Sequence, residues 1–443
     1  MTQQTNDGIQ AIRAIENTLQ HHMMLFGYET IDLPLIDEAE TFLTRAGAGI
    51  MERLFTFERG GKLLALRPEF TAVAAHRYVQ EGHTEPVRWQ MSGSIFEDEA
   101  SDVSTQYRRH NIGAELIGTS TITSDAEIIA MAIQGVDTLA LADWQVVVGH
   151  VGLQLHLLSR YQLDKRTTRL LLTQRETLQR DGVDAVLTKL NNTLMLDPDT
   201  VVPADDSDAN GQTQHMLDVL LDSTRYGSTM GGRTRHDIAS RVLKKHSRSL
   251  ERENIKEALT FLYTWGQLSG EPAKILTQIR KLIADDDAAG LALFDELETL
   301  FTLLDAYSIP TERILLQPDL TRNWDYYTGV VFGIRIDETY IASGGRYDGL
   351  TQLLGADEAF PAVGFAYYTE RMLPFMDANE TQHTYTLSAD EPADAIRWLI
   401  ALRTVGIFVA HVEHDAEIIV SGDSAQFNGI TYTQDELLEE VSA

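Results

Sequence analysis

The stretch RNWDYYTGVVFGIRIDETYIASGGRYDGL, residues 322–350, collects side chains able to do chemistry. Arg322 is a fixed cation, and Tyr326 and Tyr327 are adjacent phenols. In Ser343-Gly344-Gly345-Arg346-Tyr347-Asp348, a glycine pair precedes a cation, a phenol and a carboxylate. A guanidinium fork meets a carboxylate or a phosphate, and tyrosines supply ring walls and hydroxyls. Taken alone, such residues more often form a buried polar network than a ligand site. A second stretch, GSIFEDEASD over 93–102, carries only carboxylates: Glu97, Asp98, Glu99 and Asp102. Oxygen donors of this kind suit Mg2+ or Ca2+. The ordered ligand spacing and glycine turn of a cation loop are missing, however, so the loop reads as acidic and solvated. Gly60-Gly61-Lys62 lacks the upstream glycine and the following Ser or Thr of a phosphate loop. His21, His22 and His110 have no metal-ligand spacing. There is no cysteine, which removes disulfides, thiolate metal sites and a cysteine nucleophile. No metal and no cofactor are expected.

The elements that must position these residues are legible in part. Ile9, Ile12, Leu19, Met23 and Phe26 keep a helical spacing over 8–27, and Gly27 is a stop. Residues 28–42 read as an extended segment with Pro34, then a helix start. Alternating apolar residues around Gly60-Gly61 predict a hairpin over 54–66. PVRWQMSGSIFEDE and RRHNIGAELIG predict two strands flanking the polar loop. Residues 124–136 predict a helix with a Ser-Asp cap, and the valine run of 144–151 a buried strand. The pattern then turns helical, with an acidic, turn-rich loop over 196–214. Strands return at 311–320 and continue to Val363-Gly364-Phe365-Ala366. After a polar linker at 376–383, the tail reads as strand, helix, two strands and a short helix. The layout is α+β: a mixed sheet with flanking helices, a helical insertion and a small terminal α/β domain.

With 443 residues, about three domains are expected. The hydrophobic share of 43% supports large cores. No apolar run reaches the length of a membrane helix, and MTQQTNDGIQ has neither the basic nor the apolar region of a signal peptide. A cytoplasmic protein with no membrane partner is expected. The formal charge of −30 weighs against nucleic-acid binding. Against that background Arg225, Arg233, Arg235, Arg241, Lys244, Lys245, Arg248, Arg252 and Lys256 form a basic segment. It would serve either an anionic partner or, more plainly, a solvated helix face.

Residues 322–327 and 343–348 resemble the R-G-L-D-Y-Y and A-G-G-R-Y-D signatures of histidyl-tRNA synthetases. Other class II synthetase marks stand in order. GYETIDLPLID with Pro34 resembles motif 1, LRPEFT (66–71) resembles L-R-P-E-G-T, and SGSIFEDE through HNIGAELIG resembles motif 2. PAVGFAYYTERM (361–372) resembles motif 3, with Arg371 at its arginine. The resemblance covers residues 8–375 and implies a class II synthetase-like, six-stranded antiparallel sheet holding histidine and usually ATP. On this division the core spans 1–156 and 311–375, the helical insertion 157–310, and a truncated anticodon-binding-like α/β domain 383–443. By position, the resemblance puts Glu69, Thr71 and Asn111 at the histidine ammonium and Glu115 and Tyr327 at the imidazole. Arg322 falls at the carboxylate, with Tyr326 and Tyr347 as walls. Asn111 replaces the family's usual glutamine.

Departures cluster in the nucleotide half, giving a degenerate site at Glu97, Tyr368 and Arg371. The motif 2 arginine, which holds the α-phosphate and the carboxylate under attack, is here Glu97. Loss of one such donor costs on the order of 10²–10³ in rate. A second basic position is Thr105. Tyr368 replaces a motif 3 glycine, Phe70 that of P-E-G-T, and Asn323-Trp324 the Gly-Leu of the first signature. The expectation is a kept histidine half and a nucleotide half filled and reversed in charge. The tail lacks the basic middle helix of an anticodon domain, and DEPADA and HVEHDAE suit a phosphate backbone poorly, so tRNA is not expected as a partner. Synthetase-like proteins without aminoacylation include the regulatory subunit of ATP phosphoribosyltransferase, the first enzyme of histidine biosynthesis. The resemblance therefore implies a non-catalytic, histidine-sensing subunit that pairs with a short-form catalytic subunit and is at least a homodimer. The alternatives are a working histidine–tRNA ligase and a histidine-binding paralogue with another partner.

Overall fold

The structure is a computed structural model. It describes residues 6–43, 53–97, 107–194, 229–230, 233–234, 252–320, 326–376, 385–405 and 407–442. The chain divides into two compact units, the larger built on Ile12–Phe375 and the smaller on Met376–Ala443. No helix among the described residues is long and apolar enough to cross a membrane.

In chain order the strands of the larger unit begin with β1 (Glu29–Thr30), β2 (Ile36–Glu38), β3 (Thr56–Arg59), β4 (Lys62–Leu66), β5 (Val87–Phe96), β6 (Arg108–Ile117) and β7 (Trp144–His150). They continue with β8 (Thr229–Met230), β9 (Arg233–Thr234), β10 (Ile314–Leu316), β11 (Val330–Ile336), β12 (Thr339–Arg346) and β13 (Ala362–Tyr368). An eight-stranded sheet runs β1-β5-β6-β13-β12-β11-β7-β10. Its six central strands pair antiparallel throughout. Two parallel edge strands, β1 on β5 and β10 on β7, extend the six-stranded sheet that the resemblance implies.

The central strands are buried on both faces, and alternation assigns each residue to one of them. One face meets helices α1 (Asn6–Leu25) and α4 (Ile122–Thr138). Ile12, Ile15, Leu19 and Met23 of α1 are buried at the helical spacing that the sequence displays. From β13, the Tyr367 hydroxyl donates to the Ala132 carbonyl of α4 at 2.9 Å. From β12, Arg346 donates to Asp125 of α4 at 2.9 Å and to Asp348 at 3.0 Å. The N-cap of α4 is Thr121, whose side chain accepts from Ser124 N, rather than the expected Ser-Asp pair. Asp125 is instead consumed by the buried arginine. Between α1 and β5 lie the helices α2 (Ala39–Leu43) and α3 (Thr71–Gln80) and the small sheet β2-β4-β3. The expected hairpin turns at Gly60 and Gly61, with φ of +60° and +76°, values that a residue with a Cβ adopts only at a cost.

The insertion is helical over Lys165–Thr173, Arg175–Asp181, Val183–Leu194, 252–266, Pro272–Arg280 and Ala288–Ala306. Most of the basic segment lies outside the described residues, as do Thr105, Arg322 and the acidic residues 98–102.

The smaller unit contains β14 (Tyr385–Ala389), β15 (Val409–His411), β16 (Ile418–Ser421), β17 (Ser424–Phe427) and β18 (Ile430–Thr433) in the order β15-β14-β16-β17-β18. Helices Pro392–Thr404 and Gln434–Ser442 pack through Trp398, Leu402 and Leu437 on Leu387, Ile418 and Val420. No helix separates β15 from β16. The hairpin β17–β18 adds two strands to the expected pattern. Its Asn428-Gly429 turn, with φ of +51° and +78°, is the signal that identifies it.

Candidate functional site

The second face of the central sheet is not covered by a helix throughout. β6 directs Arg109, Asn111 and Glu115 to it, β12 directs Ser343, and β13 directs Gly364, Ala366 and Tyr368. Over these residues lies a cavity of about 480 Å3, walled by residues 68–71 at the start of α3 and by Tyr326, Tyr327 and Tyr347. That volume suits a small ligand. Glu69, Thr71, Asn111, Glu115, Tyr326, Tyr327 and Tyr347 therefore all line one cavity, together with Glu97, Tyr368 and Arg371.

At the inner end, Glu115 is almost fully buried and accepts two hydroxyl hydrogen bonds. Thr71 Oγ1 donates to Oε1 at 2.6 Å and the Tyr347 hydroxyl to Oε2 at 2.5 Å. The resemblance sets Thr71 at a ligand ammonium and Tyr347 as a wall; in the structure both hydroxyls hold Glu115. Glu69 accepts from Ala72 N at 2.8 Å and from Thr71 N, so it caps α3 while lining the cavity. Burial pushes the Glu69 carboxyl up to about 7, against the lowering effect of these donors. Burial and, secondarily, the nearby Glu69 push Glu115 up to about 8, although its two hydroxyl partners pull the other way. Two carboxyls in one desolvated space thus favour holding protons, which a cationic ligand would displace by favouring their charged form. Tyr326 and Tyr327 lie tilted to each other with ring centroids 4.8 Å apart, and Tyr326 meets Tyr347 edge-on at 5.7 Å. Asn111 is buried on β6, opposite Tyr368.

The outer end is built differently. Glu97 stands 3.5 Å from Arg53, both partly exposed. Tyr368 shares a short hydrogen bond with Ser343, and the Arg371 guanidinium lies over its ring at 4.8 Å. Glu370 accepts from His110 N at 2.8 Å. Phe70 is buried against the Arg67 guanidinium, 4.8 Å from its ring. Bulky side chains were expected to fill this half, but among the described residues the cavity continues to Glu97, Glu370 and Arg371. Tyr368 is drawn onto Ser343. Arg109, Ser343 and Gly364 were missed as cavity residues. Alternation back from Asn111 and Glu115 would have found Arg109. Nothing in the sequence signals that Gly364 faces Glu115. Among the described residues no cluster of His, Cys, Asp or Glu is placed to hold a metal ion.

An antiparallel six-stranded centre carrying a polar cavity on one face defines a class II synthetase-like protein. The profile described as "Histidyl-tRNA synthetase" matches residues 5–208 and 212–372, and the chain belongs to that family. It is 27% identical over 412 residues to a histidine–tRNA ligase of Methanosphaerula palustris, covering 90% of this chain and 81% of that protein. It is 30% identical over 368 residues to an ATP phosphoribosyltransferase regulatory subunit of Allorhizobium ampelinum, covering 78% of this chain and 93% of that protein. The fold is shared with histidyl-tRNA synthetase from Nostoc sp. PCC 7120, at a TM-score of 0.66 and 14% identity over 98% of this chain and 95% of that one. It is shared likewise with a protein of Bacillus halodurans described as an ATP phosphoribosyltransferase regulatory subunit/histidyl-tRNA synthetase. There the TM-score is 0.65 and the identity 19%, over 93% of this chain and 91% of that one.

Proposed function

We propose that this chain is a histidine-sensing regulatory subunit of ATP phosphoribosyltransferase, without aminoacylation activity. The observation that carries the reading is the contrast within one cavity. Buried carboxyls and hydroxyls suited to an imidazole and an ammonium are assembled around Glu115. The position of the motif 2 arginine is meanwhile a carboxylate, Glu97, paired with Arg53. Glu69 and Asn111 are assigned to the ammonium and Glu115 and Tyr327 to the imidazole; Arg322 is assigned to the ligand carboxylate. Thr71 and Tyr347 orient Glu115. Feedback requires a ligand that binds two assembly states with different affinity; in this reading the partner is a short-form catalytic phosphoribosyltransferase subunit and the chain itself is at least a homodimer.

The test is reconstitution. With the short catalytic subunit, the chain should raise phosphoribosyl transfer, and L-histidine should suppress it. Histidine-dependent ATP–pyrophosphate exchange by the isolated chain would refute the reading. A monomer by light scattering at micromolar concentration would refute the dimer. The ligase reading is favoured by one feature, that Glu115 and Arg371 line one cavity among the described residues, and the exchange assay decides it. A histidine-binding chain that neither exchanges nor activates would be a paralogue with another partner.

A further inference from the structure

Glu115 of β6 faces Trp89 of β5 on one side and Gly364 of β13, which offers no side chain, on the other. A Cβ on Gly364 would lie 1.7 Å from Glu115 Oε2 and 2.4 Å from the carboxyl carbon. Beyond it, Gly345 of β12 pairs with Gly364. A Cβ on Gly345 would lie 3.0 Å from Tyr327 Cδ1 and 2.6 Å from Val330 O. Neither glycine has a left-handed φ. They are required for space, then, and not for backbone freedom. The Glu115 carboxyl also cannot swing aside freely, because Thr71 and Tyr347 hold one oxygen each.

We propose that Gly364 is a positioning residue for ligand specificity: its missing side chain is the slot in which the Glu115 carboxyl lies, turned toward the ring of a bound imidazole. The inference rests on the histidine reading above. A methyl group at 364 would push the carboxyl off β13, break one of its two hydroxyl contacts and misdirect it. Tyr347 and Thr71 aim the carboxyl, while Gly364 leaves room for the aim. A Cβ here would also stand 2.7 Å from Ala114 O, so a test must separate the carboxyl from the backbone.

The experiment uses the full chain, with L-histidine affinity by calorimetry and thermal stability measured in parallel. Gly364→Ala should weaken histidine by roughly 10- to 150-fold, the value of one charge-assisted hydrogen bond. Combining it with Glu115→Asp, which withdraws the carboxyl by one methylene, should recover part of that loss, although Glu115→Asp alone weakens binding. A purely structural glycine would give no such rescue. Unchanged affinity in Gly364→Ala, or a double variant no tighter than Gly364→Ala, would overturn the proposal. If Gly364→Ala does not fold, the Glu115→Ser/Gly364→Ala pair decides. Folding as well as Glu115→Ser supports the slot; failure to fold assigns the clash to the Ala114 carbonyl and overturns it. If the unmodified chain binds no histidine, the proposed function fails by itself. The slot then stands on non-additive stability at 115 and 364, and additive effects sink it.

Discussion

At the inner end of the cavity, carboxyls meet neutral donors in a buried space; at the outer end, charges meet charges near water. Glu115 receives two hydroxyls and Glu69 two backbone N–H groups, and burial raises both carboxyls. Glu97 has a loose guanidinium partner and Arg371 lies on a tyrosine ring. Polar groups in low dielectric are costly to leave unpaired, so the inner end would favour a ligand that pairs them. Opposed, partly exposed charges largely cancel each other's field, so the outer end offers a triphosphate little. Two ends of one cavity, a few ångströms apart, thus rest on different physics.

The largest effect expected from that contrast is on chemistry at the outer end. Histidine-dependent ATP–pyrophosphate exchange should fall at least about 10²–10³-fold below that of an active synthetase assayed alongside, the cost of one missing donor to the developing charge. Equal rates would erase the distinction between the ends. Next comes Glu115→Gln, which keeps shape but can no longer ionise against a bound imidazolium. Histidine affinity should drop by roughly 10- to 150-fold in calorimetry. Alanine, which has no imidazole, should lose less.

Stability against pH comes third. Both inner carboxyls have folded-state values raised above their unfolded ones. The native state therefore binds more protons than the unfolded chain from about pH 5 upward, and stability falls as pH rises toward 8. Between pH 6 and 7 the loss should be on the order of 1–2 kcal/mol. The melting temperature should decline over this range in the parent chain and decline less in Glu115→Gln; parallel curves would mean that Glu115 is already ionised. The smallest effect is expected at the outer end. Arg53→Ala removes a long, partly exposed ion pair, so unfolding should change by about 0.2–1 kcal/mol. A larger change in denaturant titration would show Glu97 to be a structural anchor.

Much of the scaffold could be read directly from residue order. The helical stripe of α1, the Gly60-Gly61 turn, the paired strands β5 and β6 and the valine run of β7 are local patterns, set by side-chain period and backbone sterics. The site could be read in composition but not in geometry. Arg346 and Tyr347 are neighbours in one motif, yet Arg346 goes to Asp125 behind the sheet and Tyr347 to Glu115 in the cavity. Period-two alternation requires that they part, but it does not say which face holds the ligand. Thr71, expected at a ligand ammonium, donates its hydroxyl to Glu115 in the structure.

By itself, then, the sequence determined the family, the elements and the departures at Glu97, Phe70 and Tyr368, because these are properties of residue type and order. Only the tertiary structure decided that Gly364 gives Glu115 its space, that Tyr368 bonds Ser343, and that two carboxyls share one buried pocket. Those facts depend on which strands lie side by side and on how much water remains between them, and no local pattern encodes either.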